Sequence, residues 1–109
     1  MAFWSMLMFK AHAGQTDRSA QAFIKRRCIE ESAETISGFL HGELVVSTDE
    51  PDQLCVLCSW TDAAAYREWL ASPLRAKQGP DLKGLADGEP KTMMFRGVHA
   101  VSKPQSTST

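Results

Sequence analysis

The chain reads as an α+β fold of the ferredoxin-like, split βαβ kind, with a four-stranded antiparallel sheet. Three observations predict this. Strand-like and helix-like segments follow one another in the order β-α-β-β-α-β, with a short extra helix before the last strand. The first and third strand segments are apolar on both faces, so each needs cover on both sides. The length, 109 residues, suits a single small domain, which gains stability from oligomerisation. Residues 1–101 are assigned to the domain and 102–109 to a polar tail that is expected to be disordered.

Phe3 to Ala13 forms the first strand. Side chains alternate along a strand, so one face carries Phe3, Ser5, Leu7, Phe9 and Ala11. The other carries Trp4, Met6, Met8, Lys10 and His12. Gly14-Gln15 is a turn. Thr16 or Asp17 then caps one helix that runs to about Thr35, with Ala20, Phe23, Ile24 and Cys28 as its inward stripe. Ser37-Gly38 ends it. Phe39 to Thr48 is the second strand, and Asp49-Glu50-Pro51-Asp52 is a tight connection to a third strand, Leu54 to Trp60. The short loop predicts an antiparallel hairpin.

Thr61 caps the next helix, with Asp62 favourable at its positive end. Tyr66, Trp69 and Leu70 stand at i, i+3 and i+4 on one face. Ser72-Pro73 starts a short helix that Gly79-Pro80 stops near Gln78. Asp81 to Pro90 is the segment expected to be most mobile, and Lys91 to Val101 is the last strand.

Composition excludes several functions. Net charge is −1 with the signs interspersed, so no basic face for nucleic acid is built. The run Lys25-Arg26-Arg27 is answered by Glu30, Glu31 and Glu34, as on a solvated helix face. No apolar run approaches the ~18 residues needed to cross a bilayer, and Met1 to Phe9 lacks the basic leader of a signal peptide. Cys55 and Cys58 lie three apart in a strand, so they point to opposite faces and cannot share a metal or a disulfide. Three cysteines without a leader fit a reducing cytoplasm. No spacing of His with His or carboxylate suggests a metal, and no Gly-rich turn suggests a dinucleotide.

Gly38-Phe39, Trp60, Thr61-Asp62, Tyr66, Trp69 and Ser72-Pro73, in that order, resemble the antibiotic-biosynthesis monooxygenase (ABM) family. The resemblance covers roughly Phe3 to Val101. It implies a homodimer packed sheet on sheet, the dimeric α+β barrel, which would cover the doubly apolar strands. It further implies a pocket in each subunit between sheet and helices, and a cofactor-independent oxidation of a small planar aromatic substrate of the anthrone or quinol type. Trp69 matches the family's pocket tryptophan, as a flat wall for a planar ring or as a core residue holding helix to sheet. The implied catalytic set is His12 as base, Trp69, and Arg96 as a stabiliser of negative charge. Tyr66, Trp69, His41 and Phe23 are the implied substrate contacts.

The chain departs from the family at three points. Haem-degrading members place a histidine where Gly79 stands, and an asparagine on the first strand; the chain contains no asparagine. Some anthrone-oxidising members carry an asparagine one turn before the tryptophan, where Ala65 stands. A non-catalytic ligand-binding domain and a haem-binding protein with a different ligand are therefore the alternatives.

Overall fold

The computed structural model describes residues 2–104. The elements are β1 (Phe3–Lys10), α1 (Thr16–Arg26), α2 (Cys28–Thr35), β2 (Phe39–Val46), β3 (Gln53–Trp60), α3 (Ala63–Leu70), α4 (Pro73–Asp81) and β4 (Lys91–Arg96). The strands form one antiparallel sheet in the order β2-β3-β1-β4. This is the split βαβ, ferredoxin-like α+β arrangement: consecutive β2 and β3 pair directly, while each helical segment carries the chain across one face.

Strand alternation sorts the sheet into two unlike faces. Leu54, Val56, Cys58 and Trp60 of β3 point to the helices and are buried, Leu54 and Trp60 almost completely. Phe9 and Ala11 continue this layer, and Phe23, Cys28, Ile36, Ala65, Tyr66 and Trp69 close it from the helix side. On the opposite face the register sets Trp4 against Phe95, and Met6 against both Met93 and Leu57. Among the described residues nothing covers this face: Trp4, Met93 and Phe95 are 40%, 50% and 44% exposed.

Several boundaries correct the sequence reading. The single helix from Thr16 to Thr35 is two, because Arg27 adopts a left-handed conformation at φ 61° and donates its N–H to Ile24 O. The break is held by charge. Arg26 reaches Glu31 at 2.9 Å and Asp81 at 2.8 Å, and Arg27 reaches Glu34 at 2.6 Å. Within α1 the buried residues are Ser19 and Phe23, one turn apart, and Ile24 is half exposed.

Neither Thr16 nor Asp17 caps α1. Gln15 holds that position, and the Thr16 hydroxyl donates to Asp52 in the hairpin loop at 2.7 Å. Asp62, not Thr61, caps α3, accepting the Ala65 N–H at 2.9 Å. On α3 the apolar face is Ala65, Tyr66 and Trp69, with Leu70 largely exposed.

Ser72 caps α4 with Pro73 at its first turn, but the helix runs past Gly79-Pro80 to Asp81. Pro80 lies near the end, where its missing N–H removes only one bond. Leu82 N–H then reaches Gln78 O and Gly79 O, and Lys83 N–H reaches Pro80 O. The last strand stops at Arg96 rather than Val101. Of the tail, residues 102–104 carry no regular secondary structure; the rest of the expected disordered segment lies outside the described residues. Among the described residues no helix is long and apolar enough to cross a membrane.

Candidate functional site

A cavity of about 550 Å³ opens between the helix side of the sheet and the segment that follows α4. That is within the range of small-molecule sites, roughly 300–1,000 Å³. Its floor is Leu7 and Phe9 of β1, with Thr92 of β4 at the edge. Phe23 of α1 and Trp69 of α3 form apolar walls. Arg75, Gln78, Gly79 and Leu82 come from α4 and its end, at i, i+3, i+4 and i+7, so one helix stripe faces the space. The rim is the loop Lys83 to Pro90, which contributes Lys83 and Glu89.

A smaller cavity of about 90 Å³ lies deeper. It shares Phe23, Trp69, Arg75 and Gln78 with the first and adds Tyr66, Cys28 and Ser5. Trp69 and Phe23 thus border both spaces, and Trp60 borders the smaller one.

The two core tryptophans differ chemically. Trp60 donates its indole N–H to Ser5 Oγ at 3.0 Å inside the core. Its ring packs edge-on against Phe39, centroids 5.3 Å apart, and beside Tyr66 at 5.5 Å. Trp69 forms no such bond among the described residues and presents its ring to both cavities.

Gln78 has a fixed orientation. Its Nε2 donates to Cys28 O at 3.2 Å and to Glu31 Oε1 at 2.9 Å. Both partners only accept, so the amide nitrogen must face them and the carbonyl oxygen Oε1 is left as the available acceptor. The same bond holds the Glu31 carboxyl below its ordinary value, with Arg26 adding to the effect. Burial raises the Tyr66 hydroxyl above its ordinary range, and nearby Arg75 opposes this. Burial also pushes the Cys28 and Cys58 thiols up to about 11, so both remain protonated at neutral pH.

The loop over the cavity is tied down at several points. Ala86 bridges Ala11, Asp87 N–H donates to Lys10 O at 2.6 Å, and Ser19 Oγ donates to Leu85 O at 3.2 Å. His12 adds a fourth tie, its Nε2 at 3.0 Å from Gly84 O. A carbonyl only accepts, so Nε2 carries the proton in this contact. Gly84 and Gly88 hold φ values of +94° and +92°, a region where a side chain is strained.

The residues singled out from the sequence do not all meet. Phe23 and Trp69 line the main cavity, and Tyr66 lines the deeper one. His12 stands behind the loop, outside both linings. His41 lies opposite Ser59 on the uncovered face of the sheet, 3.3 Å from Glu43. Arg96 pairs in register with Phe3 at the far end of β4 and borders neither cavity.

Arg75, Gln78, Lys83 and Glu89 were missed. The α4 stripe could have been found by carrying the helical spacing from Ser72-Pro73 through Gly79-Pro80. Ala65 also falls outside the linings: it packs against Gly38, where an added Cβ would lie 2.5 Å from the Ala65 Cβ. Gly79 does line the cavity, and the space at its Cβ is open. None of the three histidines lines it.

The ferredoxin-like fold, with an aromatic-walled cavity between sheet and helices and one apolar sheet face uncovered, is that of an ABM-type domain. The family model described as antibiotic biosynthesis monooxygenase matches residues 3–77, and the chain belongs to that family. Its fold is similar to that of SnoaB, a cofactor-independent oxygenase from Streptomyces nogalater, at 18% identity and a TM-score of 0.72, covering 94% of this chain and 98% of that one. It is also similar to the monooxygenase from ActVA-Orf6 of Streptomyces coelicolor, solved in complex with the ligand Nanaomycin D. There the identity is 21%, the TM-score 0.75, and the coverage 94% and 93%. No match was found among curated proteins.

Proposed function

We propose that the protein is a cofactor-independent monooxygenase that oxidises a planar, anthrone- or quinol-like aromatic substrate with O₂, working as a homodimer. The observation that carries this reading is the cavity of about 550 Å³ walled by Trp69, Phe9 and Phe23. Flat apolar walls suit a flat ring. The likeness in fold to SnoaB and to the ActVA-Orf6 monooxygenase supports it.

In this chemistry the substrate supplies the electrons. A base removes a proton from the activated ring carbon, and the carbanion passes one electron to O₂. The resulting carbon radical and superoxide combine through a new C–O bond, and a proton completes the hydroperoxide. Loss of the second C–H proton then breaks the O–O bond, leaving a ketone and water.

Glu89, the carboxylate on the lining, serves as proton acceptor in this proposal. Gln78 Oε1 accepts a hydrogen bond from a ring hydroxyl, and Trp69 is the wall. Arg75 takes the charge-stabilising role expected of Arg96. His12 acts through the loop, pinning Gly84 and keeping water out.

The test is oxygen uptake with dithranol as substrate and no added flavin, metal or nicotinamide. Uptake is expected in the wild type. Trp69→Ala and Glu89→Gln should each lower it at least tenfold at unchanged melting temperature. Full turnover in both variants would remove these residues from the mechanism. Ala65, standing where some oxygenases of the family carry asparagine, favours a second reading as a ligand-binding domain. Under that reading ring compounds bind and no oxygen is consumed.

A further inference from the structure

The polar side of the cavity is not electrically neutral. Arg75 and Lys83 both line it, against the single carboxylate of Glu89. Arg26 is held by Glu31 and Asp81, and Arg27 by Glu34, while Arg18, Arg67 and Arg96 are, like Arg75, without an ion pair among the described residues but stand outside the lining. Among the described residues no carboxylate lies within ion-pair distance of Arg75 or Lys83. A cation on an apolar pocket wall without a protein partner is a group available to a ligand.

Arg75 is also placed by the helix and not by chance reach. It shares the α4 stripe with Gln78, Gly79 and Leu82, and it borders both the main cavity and the deeper one. Both Arg75 and Lys83 are exposed residues, open to a ligand entering from solvent. Lys83 enters from the loop just beyond the end of α4. The two cations therefore line the same space as the Phe9 and Phe23 rings.

We infer that the cavity selects aromatic acids: a flat ring body against Trp69, Phe9 and Phe23, carrying a carboxylate that pairs with Arg75 and Lys83. This rests on the aromatic-pocket reading above and goes further, by fixing the charge of the ligand. A planar guanidinium can hold a carboxylate through two parallel hydrogen bonds, while the lysine adds a point charge. Gln78 Oε1, an acceptor, would repel that carboxylate, so the acid group sits toward Lys83 and a ring hydroxyl toward Gln78.

The experiment is calorimetric titration of the full-length protein with two probes, an anthraquinone carboxylate and the matching anthraquinone carboxamide. They share ring body and shape and differ only in charge. The carboxylate should bind about tenfold more tightly, the scale of one charge-assisted hydrogen bond. Added salt should erode that advantage and leave amide binding in place. Arg75→Gln combined with Lys83→Gln should bring the two affinities within about twofold. Arg67→Gln, an exposed arginine on α3 outside the lining, should keep the difference. Equal affinities in the wild type, or a preference that survives the double substitution, would overturn the inference and leave the aromatic pocket standing. Failure of both probes to bind would overturn the pocket reading and this inference with it.

Discussion

Gly38 opens the turn into β2, and the structure shows why a glycine stands there. A Cβ added at Gly38 would lie 2.5 Å from the Cβ of Ala65 and 2.6 Å from Thr61 Oγ1. Carbon atoms pack best at roughly 3.5–4.0 Å. The threonine hydroxyl can swing away by rotation about χ1, but the Ala65 Cβ is fixed to the backbone of α3. Gly38→Ala must therefore push the first turn of α3 outward by about an ångström. That turn is held by the Asp62 cap at 2.9 Å and by the bond from Thr61 N–H to Gly38 O at 2.8 Å. Overpacking of this kind costs about 1–3 kcal/mol. Restricting the unfolded chain returns about 0.4–1 kcal/mol of it. The net loss of about 1–2 kcal/mol corresponds to roughly 5–10 °C in melting temperature for a domain of this size.

The decisive assay is a double-mutant cycle read by thermal and urea denaturation. Ala65→Gly alone should destabilise by about 1 kcal/mol through helix propensity. Combined with Gly38→Ala it should recover most of the steric loss, so the two changes are strongly coupled. Additive costs would show that the close approach is not what the glycine is for. Because Trp69 lies one turn further along α3, Gly38→Ala should also weaken aromatic ligand binding, and the double variant should restore it.

The two faces of β3 give a second test. Val56→Asp buries an unpaired carboxylate in the core and should cost several kcal/mol. Leu57→Asp points to the uncovered face beside Met6, so it should keep the fold and break the proposed homodimer. Light scattering should then fall to the subunit mass of 12.0 kDa, and an unchanged larger mass would count against sheet-on-sheet assembly. A third test follows from Glu31, whose carboxyl is held below its ordinary value of 4.5 by Gln78 and Arg26. A lowered carboxyl contributes stability above its unfolded value and loses it as pH falls through the folded one. The melting-temperature gap between wild type and Glu31→Gln should therefore shrink as pH drops from roughly 6 to 3. A gap independent of pH would show that the ionised form is not what Gln78 binds.

Much of the fold was legible because strand alternation is local. Parity along Leu54 to Trp60 says which residues share a face, but which face meets the helices comes from the structure, which buries Leu54, Val56, Cys58 and Trp60. The helix break at Arg27 left no such trace. A non-glycine residue at φ 61° is rare, and here it is accompanied by ion pairs to Glu31, Glu34 and Asp81, the last on α4. Only the folded chain brings Asp81 to Arg26. The end of α4 was misplaced for a related reason. Gly79-Pro80 is a stop signal when propensity decides, but the buried Gln78 holds the helix onto α2 through Cys28 and Glu31, and the helix runs one turn further.

The candidate site divides along the same line. Its aromatic walls, Trp69 and Phe23, follow from helix spacing. Its polar lining depends on that extra turn of α4 and on how the loop returns to β4, and neither is written in local pattern. The two tryptophans show the limit most clearly. Both stand on apolar faces near strand or helix ends, and pattern alone does not give either its hydrogen-bond partner. What separates them is Ser5, which lies 55 residues from Trp60 in sequence and 3.0 Å from it in space. With its N–H engaged there, Trp60 borders the smaller cavity alone, while Trp69 borders both and has no hydrogen-bond partner among the described residues. Which tryptophan borders the main cavity is supplied by topology rather than by local pattern.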